Sequence, residues 1–445
     1  MTWKAVAPNK VQSLPNTKRD SANMQQETTF TPANSQGKIL LGSLVGTTIE
    51  FFDFYIYANA AVLVFPALFF PSSNATNAML QSLATFAIAF FARPLGSALF
   101  GHFGDRVGRK ATLVAALMTM GLSTVAIGLL PTYASIGIAA PILLTICRFG
   151  QGLGLGGEWG GAVLLATENA PPNKRAWYGM FPQLGAPIGF LMSGGIFLLL
   201  SDSLTNEQFF DFGWRIPFLA STLLVLVGLY VRLNITETPA FLESIKSNKR
   251  VKVPAITVFK EHGRHLLLGT FIALATFVLF YLMTVFTLSW ATTSLGFSRR
   301  EFLLIQLFAV LFFGLAIPIS ALLADKFSRK AVLMSASLAI AAFGLLMAPL
   351  FGSGDVVKIT LFLCLGLGLM GMTYGPLGTM LSELFPTEVR YTGASLTFNF
   401  AGILGASFAP FIATWLAGNY GLSYVGFYLS GAALITLTAL AFSKA

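Results

Sequence analysis

Charge is what this sequence has least of. Only 10% of its 445 residues are Asp, Glu, Lys or Arg, against roughly 25% in a soluble domain. Acids are the scarcer sign, 18 against 28 bases. Cysteine is nearly absent: Cys147 and Cys364 each fall inside an apolar run, where no oxidising compartment reaches them, so both are read as packing residues and a disulfide framework is excluded. Histidine is equally thin. His102, His262 and His265 lie dispersed at the edges of apolar runs, so neither a metal site nor catalysis is assigned to them. No Ser/His/Asp or Cys/His arrangement stands out, and the chain is not read as an enzyme.

What is abundant is apolar residue, 55% of the chain, gathered into runs too long to line one soluble core. About 20 such residues cross a bilayer as a helix. Twelve runs qualify, over 39–64, 79–100, 111–130, 137–167, 176–200, 214–232, 265–290, 302–323, 331–351, 358–382, 392–416 and 424–443. The expected fold is an all-α integral membrane protein with twelve transmembrane helices. Residues 1–37 are polar and have no apolar h-region, so they are expected to be a disordered cytoplasmic tail rather than a signal peptide. Residues 233–264, the longest hydrophilic internal stretch, divide the runs six and six. The domains are then 38–232, a six-helix bundle, 233–264, a cytoplasmic linker, and 265–445, a second six-helix bundle.

An internal repeat supports that division. Gly101-His102-Phe103-Gly104-Asp105-Arg106-Val107-Gly108-Arg109-Lys110 lies between two apolar runs. Its acid-base skeleton returns 220 residues later in Asp325, Lys326, Arg329 and Lys330. A second pair of motifs, Glu168 to Arg175 and Glu383 to Arg390, repeats at an offset of 215 residues. Two motifs at nearly one spacing mean two similar halves. Bases wedged between membrane-length runs place both copies, and both termini, in the cytoplasm, because Lys and Arg favour that side. The net charge of +10 would suggest nucleic acid in a soluble protein. Here the bases gather on the cytoplasmic side, so no nucleic-acid partner is expected, and contact with anionic lipid is. The decapeptide lacks the Gly-Lys-Ser/Thr ending of a phosphate loop, and no strand precedes it. Gly152, Gly156 and Gly160 recur every fourth residue inside an apolar run, a spacing that lets helices pack closely.

These residues carry a family resemblance. Gly101, Asp105, Arg106, Gly108, Arg109 and Lys110 match every specified position of the loop that marks the major facilitator superfamily. The second copy has Ala321 and Ser328 where the first has glycines. Within the superfamily the chain resembles the metabolite:proton symporters. The carrying segments are Glu50 to Phe54, Phe91 to Gly96, Arg148 to Gly152, Gly156 to Gly161, and Glu383 to Arg390. The likeness covers roughly residues 38–443. It implies two six-helix bundles around a central cavity lined by the first, fourth, seventh and tenth helices. It also implies a monomer working by alternating access in the cell inner membrane, with no cofactor but the proton gradient. The family carries shikimate, 2-oxoglutarate, citrate, and proline or betaine, so the resemblance does not name the substrate.

Five ionisable residues lie deep within predicted helices: Glu50, Asp53, Arg93, Arg148 and Glu158. Each costs about 2.5–3.5 kcal/mol at a helix centre on insertion scales and by default marks an ion or substrate path. All five are in the first half, whereas packing glue would appear in both. Glu50, Asp53 and Tyr57 share one helix face by spacing, and Gln151 and Glu158 share a face of the fourth helix. A carboxylate in low dielectric can take a proton near neutral pH, so Glu50 and Asp53 are assigned the coupling proton. Arg148 stays charged and forks to fit a carboxylate. It is assigned an anionic group of the substrate, or, in the empty site, Glu50, Asp53 or Glu158. Gln151, Glu158, Tyr57, Tyr281 and Tyr374 are the further substrate candidates, with Thr284, Trp290, Gln183, Gln306 and Asn399 behind them. Arg93 is read as the structural partner of an acid. The resemblance implies that Asp105 latches onto the other half, that Asp325 and Arg329 do so in mirror, and that Glu168, Arg175, Glu383 and Arg390 join them. The expected function is a proton-coupled symporter importing a small polar metabolite, an organic anion above all. One charge crossing the membrane releases roughly 2.3 kcal/mol per 100 mV to drive it. The alternatives are a zwitterionic osmolyte (proline/betaine) importer, against which the end of the chain at Ala445 counts, and a proton-antiport exporter.

Overall fold

The computed structural model describes residues 36–72, 74–107, 109–233, 254–386 and 389–443. The tail expected over 1–37 therefore lies outside the described residues up to residue 35, as does 234–253 of the expected linker. Gly108 and the side chains of residues 101–111 also lie outside them, and with them the latch expected of Asp105, Arg106, Arg109 and Lys110.

Twelve helical spans account for nearly everything else. They are α1 (Gln36–Leu63), α2 (Ala75–Val107), α3 (Arg109–Leu129), α4 in two pieces (Ala139–Gly156 and Trp159–Glu168), α5 (Arg175–Ser203) and α6 (Ile216–Leu233) in the first half. The second half holds α7 (Gly263–Thr293), α8 (Arg299–Lys326), α9 (Arg329–Ser353), α10 (Val356–Glu383), α11 (Arg390–Tyr420) and α12 (Leu422–Phe442). Ten of these are long and apolar enough to cross a bilayer, and the shorter α3 and the divided α4 complete the twelve. The chain is a multi-pass membrane protein. The end where α1 starts and α12 stops is called the near end below, and the other the far end.

The sequence run 137–167 reads as one helix; the structure breaks it. Gly157 and Glu158 donate to carbonyls three residues back rather than four, and the helix restarts at Trp159. Glycine is the weakest helix former apart from proline, and Gly154, Gly156 and Gly157 crowd this point. The freed carbonyls find partners: Ser97 Oγ donates to Gly156 O, and Tyr391 Oη donates to Gly157 O at 2.7 Å. Two wider turns interrupt the second half, at Leu282–Phe286 in α7 and Gly402–Ser407 in α11. Such π-turns gather at functional sites.

Each half is knitted by backbones in contact. A Cβ added to Gly156 on α4 would fall on the Arg93 carbonyl of α2, and one on Gly96 of α2 would fall on Leu153 of α4. In the second half a Cβ on Gly371 of α10 would meet Phe313 O of α8. Between the halves the neighbours of glycines are side chains instead: Ser395 Oγ at Gly160, Leu307 Cδ2 at Gly194. The halves meet along α5 with α8 and α10, and along α2 and α4 with α11. The short helix Pro254–Glu261 docks Val258 against Leu266, Phe385, Val389 and Leu396 at the near end.

Candidate functional site

Arg148, on α4, is fully buried. Its guanidinium carbon lies 3.9 Å from the ring centre of Tyr57, 4.4 Å from Phe54 and 5.0 Å from Phe86. Three rings from α1 and α2 thus cradle it. Across the interface, Tyr281 of α7 packs on Phe54, Phe86 and Phe90 at 6.3, 5.7 and 5.5 Å. Arg93 of α2 stands 4.7 Å from the same Phe54 and 4.8 Å from Phe90. Phe54 therefore has two guanidiniums within 5 Å. A cation over a ring gains about 2 kcal/mol when desolvated, while each buried charge costs several, so the rings offset only part of that cost.

A polar chain continues from Arg148. Its Nη1 donates to Gln151 Oε1 at 2.9 Å, and Gln151 Nε2 donates to Thr124 Oγ1 on α3 at 2.8 Å. Thr124 Oγ1 lies 3.1 Å from Asp53 Oδ2, and Ser221 Oγ of α6 donates to Asp53 Oδ1 at 2.5 Å. The site thus runs Arg148, Gln151, Thr124, Asp53, Ser221 across α4, α3, α1 and α6. Three expectations change here. Asp53 turns into the first half, toward α3 and α6, rather than into the space between the halves; helical spacing sets which residues share a face but not which way that face looks. Arg148 was expected to rest on a carboxylate. Among the described residues no acid lies within 4 Å of it; it reaches Asp53 through an amide and a hydroxyl, and its Nη2 has no hydrogen-bond partner. Arg93, expected beside an acid, is held by the two rings, and its Nε is likewise without a hydrogen-bond partner among the described residues.

Glu50 and Glu158 are buried at 3% and 4% exposure. The break in α4 falls between Gln151 and Glu158, so the face they were expected to share is interrupted. Tyr57 Oη donates to Thr85 Oγ1 at 2.9 Å, which ties it to α2. Tyr374 is buried, and its carbonyl accepts from Gln183 Nε2 at 3.0 Å. Gln183 also accepts from Trp159 Nε1 at 3.1 Å, so it bridges the halves. Trp159 stacks on Phe398 of α11 at 3.7 Å, and Asn399 Nδ2 donates to Ser97 Oγ at 2.8 Å. Thr284 donates to Phe280 O within α7. Trp290 stacks on Phe286. Gln306 of α8 donates to Thr284 O at 2.7 Å and Met283 O at 3.2 Å, the carbonyls that the wide turn frees.

At the near end Asp325 accepts from the backbone N–H groups of Ala176 and Trp177, both at 2.9 Å. It caps the positive N-terminus of α5 from the opposite half. Glu383 Oε2 lies 3.1 Å from Arg329 and Oε1 lies 3.7 Å from Arg175, and Arg329 lies 3.9 Å from Asp325. Arg390 donates to Phe385 O at 3.2 Å rather than joining this cluster, although it borders a polar cavity of about 40 Å³ with Glu168, Arg175 and Glu383. At the far end Arg300 pairs with Asp202 at 2.8 Å, and Arg299 lies 3.8 Å from the Phe209 ring.

Sequence reasoning missed Thr124, Ser221 and Asn59. Hydroxyls are common in apolar helices and flag nothing; Asn59, an amide six residues past Asp53 in the same run, was the one legible signal among them.

Comparison with known proteins agrees with this architecture. The Major Facilitator Superfamily profile matches residues 44–406. The chain is 59% identical over 425 residues to the inner membrane metabolite transport protein YhjE of Escherichia coli K12, covering 94% of this chain and 97% of the relative. It is 37% identical over 412 residues to the shikimate transporter of the same organism, covering 90% and 93%. The fold superposes on the partially occluded inward-open xylose transporter of E. coli with a TM-score of 0.74 at 18% identity, over 92% of this chain and 98% of that one. Twelve spans in two halves, a buried charge set in the first half, and relatives matched nearly end to end place this chain in the major facilitator superfamily, among its metabolite transporters.

Proposed function

We propose that the chain is a proton-coupled symporter that imports a small organic anion across the cell inner membrane by alternating access. It works as a monomer with its near end in the cytoplasm and uses no cofactor beyond the proton gradient. The observation that carries the reading is Arg148: wholly buried, cradled by rings, and left with Nη2 unpartnered among the described residues. A buried donor without an acceptor costs more when it is charged, and a substrate carboxylate is the group that would supply the acceptor with the right shape and sign. The rings would also suit a quaternary ammonium, but a guanidinium already fills them, which counts against the zwitterionic osmolyte. Asp53, two hydrogen bonds beyond Gln151, is assigned the proton. While it is ionised its charge opposes an arriving anion; once protonated it does not. By linkage the anion favours protonation of Asp53 as much as protonation favours the anion.

Calorimetric titration of wild type, Arg148→Lys and Arg148→Ala with shikimate and succinate at two pH values tests this. Arg148→Lys keeps the charge but loses the fork, and should bind at least tenfold more weakly; Arg148→Ala should bind no carboxylate detectably. Wild type should bind more tightly at the lower pH while the ligand stays ionised. Binding by Arg148→Ala equal to wild type would reduce Arg148 to a packing residue and remove the anion reading.

A further inference from the structure

Two arginines stand at the far end where the fold gives a base little reason to be. Arg299 and Arg300 open α8, the positive end of its dipole, which disfavours cations. Glu301, the acid of that turn, is engaged with Ser298 in a capping box. Both arginines reach out of their own half. Arg300 Nε donates to Asp202 Oδ1 at 2.8 Å, and Arg299 Nη2 donates to Asn206 Oδ1 at 2.8 Å. The Arg299 guanidinium carbon lies 3.8 Å from the ring centre of Phe209, a fully buried residue that packs on Phe197 of α5. Asp202, in the last turn of α5, is as oddly placed: an acid at the negative end of its helix. Each charge thus sits at the wrong end of its own helix and at the right end of its neighbour's, because α5 and α8 pack antiparallel.

The inversion recurs at the near end, where Asp325, in the last turn of α8, caps the start of α5. The α5–α8 pair is therefore fastened between the halves at both ends, about 40 Å apart along α8. Resting on the alternating-access reading above, we infer that Arg299 and Arg300, with Asp202, Asn206 and Phe209, form the far-end lock of the transport cycle. The lock releases when the far end opens, while Asp325 holds, and it re-forms before Asp325 lets go. With both fastened, the α5–α8 pair is shut at each end. Parting the halves at the far end leaves each charge facing only the unfavourable end of its own helix, so the contact gains from two dipoles as well as from the ion pair. The two arginines hold unequally. The Arg300–Asp202 pair is 56% and 59% exposed, so water screens it and it yields readily. Arg299 is partly buried, and a guanidinium set against a ring and bonded to a fixed acceptor holds more firmly.

Maleimide labelling at two reporter cysteines tests this, on purified protein in nanodiscs with Cys147 and Cys364 replaced by alanine. Ala58→Cys reports on the far end. Ala58 is buried toward the far end of α1, in a cavity that Asn59 of α1 and Thr284 and Leu288 of α7 also line, so its walls come from both halves. Ser382→Cys reports on the near end, in the cavity shared with Glu168 and Arg175. Arg299→Ala combined with Arg300→Ala should make Ala58→Cys label at least fivefold faster and Ser382→Cys no faster. Arg300→Asp should speed Ala58→Cys at least threefold, and adding Asp202→Arg should bring the rate back to within twofold of the starting protein. If the double alanine variant fails to fold, the charge swap decides. Faster labelling at both sites would mean a loosened fold, and unchanged labelling of Ala58→Cys would mean a surface contact that never gates; either overturns the inference. Asp325→Asn separates the two readings. If it speeds Ser382→Cys while the arginine variants leave Ala58→Cys unchanged, the lock alone fails. If no variant changes either site, the alternating-access reading fails with it.

Discussion

Thr124 has one proton and two acceptors within reach, Asp53 Oδ2 at 3.1 Å and Met120 O at 3.0 Å, while its oxygen accepts from Gln151. It can donate to only one of them at a time. An ionised Asp53 draws the hydroxyl toward itself; a protonated Asp53 releases it to the backbone. This one hydroxyl is therefore where the charge state of α1 meets the hydrogen bonding of Arg148. Asp53→Asn should abolish uphill uptake of the transported acid in proteoliposomes with an imposed pH gradient, while counterflow exchange survives at about a tenth or more of the wild-type rate. Glu50→Gln, measured alongside, assigns the proton: accumulation by Asp53→Asn together with failure of Glu50→Gln would move the carrier to Glu50. Legibility at this scale followed cost. Arg148, Asp53, Glu50 and Glu158 stood out because a charge in an apolar run is expensive. Thr124 and Ser221 did not, because a hydroxyl can satisfy itself on its own helix, as many here do, and nothing in a sequence says which ones reach across.

At the scale of the helix, the twelve spans could be placed to within a few residues from apolar length alone. The break in α4 could not, because the run stays apolar through Gly157. The wide turns in α7 and α11 were equally invisible: they depend on partners such as Gln306, 23 residues from Met283. The four-residue glycine spacing was a fair guide to close packing, and the geometry turns it into numbers. Gly156→Ala forces a methyl onto a backbone carbonyl that no rotamer change can move, and overpacking of this kind costs about 1–3 kcal/mol or more. Gly418 and Gly431 have open space where a Cβ would go, with nothing within 4 Å of it, and alanine there should gain about 0.5–1 kcal/mol as a better helix former. Thermal unfolding in one detergent should therefore show Gly156→Ala melting several degrees below wild type or failing to accumulate, with Gly418→Ala and Gly431→Ala at or above it. Equal melting of all three would mean that α2 and α4 have room to part.

At the scale of the whole molecule, Asp325 joins the halves directly at the near end, since a side chain of α8 bonds the start of α5. Hydrogen bonds to a charged group are worth about 1.5–3 kcal/mol each. Asp325→Asn should therefore shift the balance of states toward an open near end. A cysteine placed at Ser382, buried beside that seam, should label at least fivefold faster with a membrane-impermeant thiol reagent in the Asp325→Asn background; unchanged labelling would mean that Asp325 only packs. The repeat of motifs announced two halves, yet it could not say how differently the two kinds of seam are made. Within a half, helices touch backbone to backbone at Gly96, Gly156 and Gly371; between halves, glycines face side-chain tips, as at Gly160 and Gly194. Backbones have no rotamers, so a half resists bending as a stiff lever does, while the joint between the levers yields by swinging side chains aside. The same spacing of glycines that makes the lobes rigid thus decides where the molecule is compliant, and a rocking motion is the softest one it has.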